Sequence, residues 1–259
     1  MMKKTAKEGA GMEQKKRFEV TSFVLHILAM VFMLCDHMWA TVIPGNEWLT
    51  CVGRIAFPIF AFMIVEGYFH TKNRKKYVLR LLIFALVSEI PFNFMTGGGA
   101  IYPFHQNVLW TFLIGIGLIW LIEWARSQPR KVWRWLLVAL GVLFGCAVAL
   151  VGMTDYMHYG VLTVLVFYLF RGRRWWCFVG QLVCLAVINL ELMGGLVYPF
   201  ECFGREWLLP QQAFALLALI PIWLYRGRQG LYNKTIKYIY YTFYPAHILI
   251  LVLLMFLTY

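Results

Sequence analysis

The sequence predicts an all-α protein, a polytopic bundle of about nine transmembrane helices with its amino terminus in the cytoplasm and its carboxyl terminus outside. Three observations carry this. Of 259 residues, 61% are hydrophobic and only 14% charged, whereas soluble chains run at about 45–50% apolar and about 25% charged, so no water-facing surface can be assembled. Apolar runs of about 20 residues, the length that spans a bilayer core, recur along the chain. All but two of the 24 Lys and Arg fall into five clusters, at 3–17, 72–80, 126–134, 171–174 and 226–237. These occupy alternate loops, all cytoplasmic under the positive-inside rule.

The basic tail, 1–19, precedes a membrane domain over 20–259. The first apolar run, 20–43, is too long for a signal peptide, lacks a small-residue cleavage site and carries Asp36-His37. The others span 48–69, 77–95, 108–124, 132–153, 159–170, 175–197, 207–225 and 238–259. The third contains Glu89 and Pro91, which predict a kinked or early-ending helix facing protein. The sixth is short for a layer of about 30 Å. Thr96-Gly97-Gly98-Gly99 reads as a flexible outer loop, and Trp and Tyr gather at the borders as an aromatic belt. Run length excludes a β-barrel. The six cysteines form no C-x-x-C pair and read as small buried hydrophobes.

Net charge +12 suggests nucleic acid only if the basic residues share one folded surface, and here they mark topology instead. Ionisable groups at membrane depth cost about 2.5–3.5 kcal/mol each and normally face the bundle interior. Asp36, His37, Arg54, Glu89 and Glu191 qualify, and the assigned directions place them in the outer halves of their helices. His105-Gln106-Asn107, Asp155-Tyr156, His158 and Gln211-Gln212 fall at the same level. The grouping predicts an outward-opening polar cavity. A histidine oriented by a carboxylate takes a proton from a nucleophile, while Arg, Gln and Asn donors hold an oxyanion. The candidate catalytic set is therefore His37, Asp36, His105, Arg54, Gln106, Asn107 and Glu89. Structural hydrogen bonds and ion pairs between helices are the plainer roles of the same residues.

At the inner end of the second run, Glu66 and His70 share a helix face at i, i+4. Lys72, Arg74, Lys75, Lys76 and Arg80 follow directly, five cations within nine residues that suit a polyphosphate. Topology and attraction to anionic head groups explain the same run.

Met33-Leu34-Cys35-Asp36-His37, Gly53-Arg54-Ile55-Ala56-Phe57-Pro58-Ile59-Phe60-Ala61-Phe62 and Val65-Glu66-Gly67-Tyr68-Phe69-His70 resemble the TraX family. So do Ser88-Glu89-Ile90-Pro91-Phe92, His105-Gln106-Asn107-Val108 and Tyr244-Pro245-Ala246-His247, a match extending from about Leu25 to Leu251. The resemblance implies a polytopic protein linked to amino-terminal acetylation of conjugative pilin and, more distantly, to transmembrane acyltransferases. In the latter a basic residue and a histidine separated by ten positions mark the first helix. His37 matches the histidine, and His26 stands where Lys or Arg is expected.

Together these lines predict an acyltransferase of the bacterial cell membrane. Acetyl-CoA or another acyl-CoA would enter from the cytoplasm, its phosphates on the inner basic residues and its pantetheine arm threaded toward the outer cavity. His37, oriented by Asp36, would activate an extracytoplasmic acceptor, a protein amino terminus, glycan or lipid. His105 is the rival base, and no metal is expected. Two other classes use the same residue types. His37, His105 and His158 with Asp36 or Asp155 suit zinc in an intramembrane hydrolase, though no HExxH-like pair is present. A proton-coupled transporter uses buried Asp, Glu and His but is expected to show inverted repeats, which the sequence lacks.

Overall fold

The computed structural model describes residues 19–202 and 204–258, so the basic cluster at 3–17 lies outside the described residues. Each of the nine expected segments contains helix, in the order α1 (Ser22–Ala40), α2 (Glu47–Gly53), α3 (Ala56–His70), α4 (Arg74–Gly97), α5 (Val108–Arg126), α6 (Lys131–Val151), α7 (Met157–Leu169), α8 (Trp175–Ala186), α9 (Leu219–Leu224) and α10 (Lys234–Thr258). Among the described residues, seven helices are long and apolar enough to cross a membrane, counting 47–70 and 175–192 as single spans. The helices at Met157–Leu169 and Gln211–Leu224 are shorter.

Local chemistry explains where the helices break. The second segment divides after Gly53, and Arg54 and Ile55 form the break. Pro58 then sits in the first turn of α3, where its missing N–H costs little. Pro91 has the opposite outcome. The helix continues through it to Gly97, with the proline buried, so the helix does not end early. Gly98 ends it at φ 70°, a left-handed conformation that glycine adopts without steric cost.

Two further departures concern the outer end. The seventh segment loosens into a π-helix over Val187–Leu192. The eighth does not begin at Trp207, because β1 (Val197–Cys202) and β2 (Arg205–Pro210) form an antiparallel hairpin and a 3-10 helix starts only at Gln211.

Three of the predicted cytoplasmic loops meet at one end of the bundle. Ser22 N and Phe23 N at the start of α1 donate to Arg228 O (2.9 Å) and Gln229 O (3.1 Å), which satisfies amides that a helix cannot pair itself. Arg173 Nη1 donates to Tyr225 O at 2.6 Å, and Arg171 Nε donates to Glu66 Oε1 at 2.6 Å. Arg80 Nε reaches the Tyr241 hydroxyl at 3.4 Å. The core between the two ends is apolar, with Tyr68, Phe167, Ile59, Ile116, Ile119 and Ile248 all under 2% exposed.

Candidate functional site

At the opposite end, α1 and α2 approach closely because position 53 is glycine: a Cβ there would overlap the Asp36 side chain. The Arg54 guanidinium, projecting from the helix break, pairs with both carboxylate oxygens of Asp36 through Nη2. Thr50 Oγ1 donates to the same carboxylate at 2.7 Å. The Arg54 guanidinium also lies 5.9 Å from the centre of the Tyr156 ring, which stacks on Phe57 at 3.7 Å.

Asp36 does not orient His37. Successive residues on an α-helix point about 100° apart, so Asp36 faces α2 while His37 faces α10. There His37 Nδ1 lies 2.7 Å from His247 Nε2, and His247 Nδ1 lies 2.7 Å from Phe243 O. The protons are assigned from this network. A carbonyl oxygen only accepts, so His247 Nδ1 carries the hydrogen and its Nε2 accepts. His37 Nδ1 must then donate, and the lone pair on His37 Nε2 has no partner among the described residues. His247 was absent from the expected site although its motif stood in the sequence; a histidine at membrane depth was the available signal.

A second group surrounds Glu89. Asn107 Nδ2 donates to Glu89 Oε2 and, at 2.9 Å, to Ala85 O. Trp110 Nε1 donates to the same Glu89 oxygen at 2.8 Å. Asn107 Oδ1 accepts from Leu109 N at 3.1 Å as the N-cap of α5. Both ends of this fully buried amide are thus engaged, which makes Asn107 a structural junction and not a free oxyanion donor. Gln106 also points away, its Nε2 donating to Tyr102 O at 3.4 Å, while its backbone pairs with Met153 and Asp155.

His105 Nε2 lies 3.6 Å from Asp155 Oδ1. This loop imidazole is held above its ordinary pKa chiefly by its contact with the Asp155 carboxylate, with burial opposing and the Glu89 charge adding. Asp155 belongs to a tight turn in which Met153, Tyr156 and Met157 have φ of 48°, 60° and 42°, backbone strain of the kind that concentrates at functional positions.

The large cavity does not open outward. It holds about 530 Å³ and runs from the basic end, lined there by His70, Thr71, Arg80, Lys237, Gln229 and Tyr232, to a deep apolar end at Met33, Val108, Phe112 and Tyr244. Of the seven expected cofactor residues only Glu66, His70 and Arg80 line it. Arg74 turns away, 3.6 Å from Glu123 and 4.3 Å over the Tyr68 ring, and Lys72, Lys75 and Lys76 are not in the wall. His26 is in the wall, stacked on Tyr240 at 4.0 Å. Its Nδ1 lies 2.7 Å from Ser22 O, so that nitrogen donates. Among the described residues no three His, Cys, Asp or Glu are arranged to hold a metal ion.

Over 247 residues the chain is 26% identical to the "Probable fimbrial assembly protein FimC, serogroup H1" of Dichelobacter nodosus, an alignment covering 91% of this chain and 96% of that protein. No solved structure matches. The TraX protein family matches residues 22–255, a range that contains every candidate residue above, and the chain belongs to that family.

Proposed function

We propose that the protein is an acyl-CoA-dependent acyltransferase, most simply an acetyltransferase, of the bacterial plasma membrane. The amino terminus and basic loops face the cytoplasm, and the Asp36–Arg54 end faces outside. The observation that carries this reading is the lone pair on His37 Nε2, fixed by His247 and without a partner among the described residues, across the Tyr244 ring from the deep apolar end of a cavity that runs from the basic end. A base just beyond the deep end of a channel that starts among basic residues is the arrangement that transfer across a membrane requires.

Acyl-CoA fills the channel from the cytoplasm, with Arg80, His70 and Lys237 at its mouth to meet phosphate. An acceptor amine approaches from outside and attacks the thioester carbonyl. The C–N bond forms, the C–S bond breaks, and the amine proton passes through His37 Nε2 to the departing thiolate, giving an amide and free CoA thiol. The guanidinium of Arg54 has five donors, and Asp36 and Thr50 engage only two of its nitrogens. The remainder polarise the carbonyl. The name of the Dichelobacter nodosus relative supports an acceptor among fimbrial proteins, such as an amino terminus.

The test is thiol release from acetyl-CoA by the purified protein with an amine-bearing peptide. Release by the wild type that disappears in His37→Ala supports the proposal. No release with acetyl-CoA or longer acyl-CoAs, or full activity in His37→Ala, overturns it.

A further inference from the structure

We infer that Tyr244 sets the length of the acyl group the site accepts. The inference rests on the acyltransferase reading and concerns what separates the cavity from its base. Neither His37 nor His247 lines the cavity, whereas Tyr244 does. The Tyr244 ring centre lies 6.2 Å from that of His37 and 5.8 Å from that of His247. A group advancing along the channel toward His37 Nε2 therefore meets this ring first.

The ring is 7% exposed and shares the cavity wall with Val108 at the start of α5, so it is not free to swing as a surface side chain does. The surrounding wall, Met33, Leu109, Phe112 and Phe243, offers the acyl group apolar contact and no polar anchor.

For transfer, the thioester carbonyl must come within about 3–3.5 Å of the attacking atom, which places the acyl tail against the Tyr244 ring. A methyl group needs little space there. Longer chains need the volume the ring occupies, and a packed interior does not yield a ring without cost.

The experiment measures kcat/KM for acetyl-, butyryl- and hexanoyl-CoA with one peptide acceptor, in the wild type and in Tyr244→Phe, Tyr244→Ala and Tyr244→Leu. The wild type should favour acetyl-CoA, and Tyr244→Phe, which keeps the ring, should preserve that order. Tyr244→Ala and Tyr244→Leu should each move the butyryl-to-acetyl ratio upward by about tenfold or more, the scale on which one methylene is discriminated in an apolar pocket. The leucine variant serves if the alanine variant does not purify as a single species. An active wild type whose ratio is unmoved in both small-residue variants, or moves equally in Tyr244→Phe, overturns this inference alone. A wild type that releases thiol from none of the three donors overturns the acyl-transfer reading and this inference with it.

Discussion

His247 Nε2 accepts from His37 Nδ1 at 2.7 Å, although 210 positions separate the two residues. The contact joins the first and last helices at membrane depth and leaves His37 Nε2 without a partner among the described residues. Removing His247 leaves the His37 ring free to flip or change tautomer. His247→Ala is expected to lower kcat by about 10²–10⁴-fold, the usual worth of a positioned general base. His247→Gln, whose amide oxygen also accepts a hydrogen bond, should recover part of the loss. Steady-state kinetics on detergent-purified variants, with size-exclusion profiles as the folding control, checks this. Equal activity in His247→Ala and wild type would show that the pair is structural.

Much of this site was legible in the sequence because charged and amide side chains are rare in and beside apolar runs: Asp36, Arg54, Glu89 and Asn107 all stand in contact with partners on other helices. Their pairing was less legible. Asp36 and His37 are neighbours in sequence, yet helical rotation sends them to different partners. The same rotation separates Arg74, which turns to Glu123, from Arg80, which enters the cavity wall. The hairpin was hidden because Trp207, Leu208 and Leu209 are as apolar as a helix. Gly204, at φ 69°, marks its turn. No local pattern encodes the direction in which the cavity opens, since that depends on how α1, α3, α4 and α10 pack.

Breaking the Asp36–Arg54 pair should cost stability before it touches catalysis. Leaving one member of a buried ion pair alone costs about 3–5 kcal/mol. These side chains are 16% and 21% exposed, so Asp36→Asn belongs at or below the lower end of that range. Gly53→Ala acts on the same contact from the other side. Its added methyl meets Asp36, and overpacking of this kind costs about 1–3 kcal/mol. Thermal unfolding in detergent reads both, and Gly53→Ala as stable as wild type would mean that α1 and α2 separate freely.

The His105–Asp155 contact predicts a pH dependence of stability. Because Asp155 raises the His105 pKa in the folded protein, the contact stabilises fully below the unfolded-state value of about 6.5. That contribution is lost as pH rises through the folded value. With side chains 41% and 30% exposed, solvent screening limits it to about 0–1 kcal/mol. The wild type should lose a small part of its thermal stability as pH rises above 6.5, and His105→Gln or Asp155→Asn should flatten that slope. An unchanged slope in both variants would place the titrating group elsewhere.

The basic run after α3 should divide by helical face. Arg80 lines the cavity and is held by the Tyr241 hydroxyl, so Arg80→Ala should raise the KM for acyl-CoA by about tenfold. That is the loss expected for one charge-assisted contact of about 1.5 kcal/mol, with little change in kcat. Lys75→Ala and Lys76→Ala remove charges outside the wall and should leave KM within about twofold at moderate salt, where exposed charges are screened. Arg74→Ala should lower thermal stability, because it strips Glu123 of its ion pair and Tyr68 of its cation, while KM stays near that of the wild type. Kinetics of the four variants at a fixed salt concentration separates a phosphate contact made by one residue from a diffuse field. A KM that rose equally in all four would mean the cofactor reads total charge at the membrane surface and not the geometry of the cavity mouth.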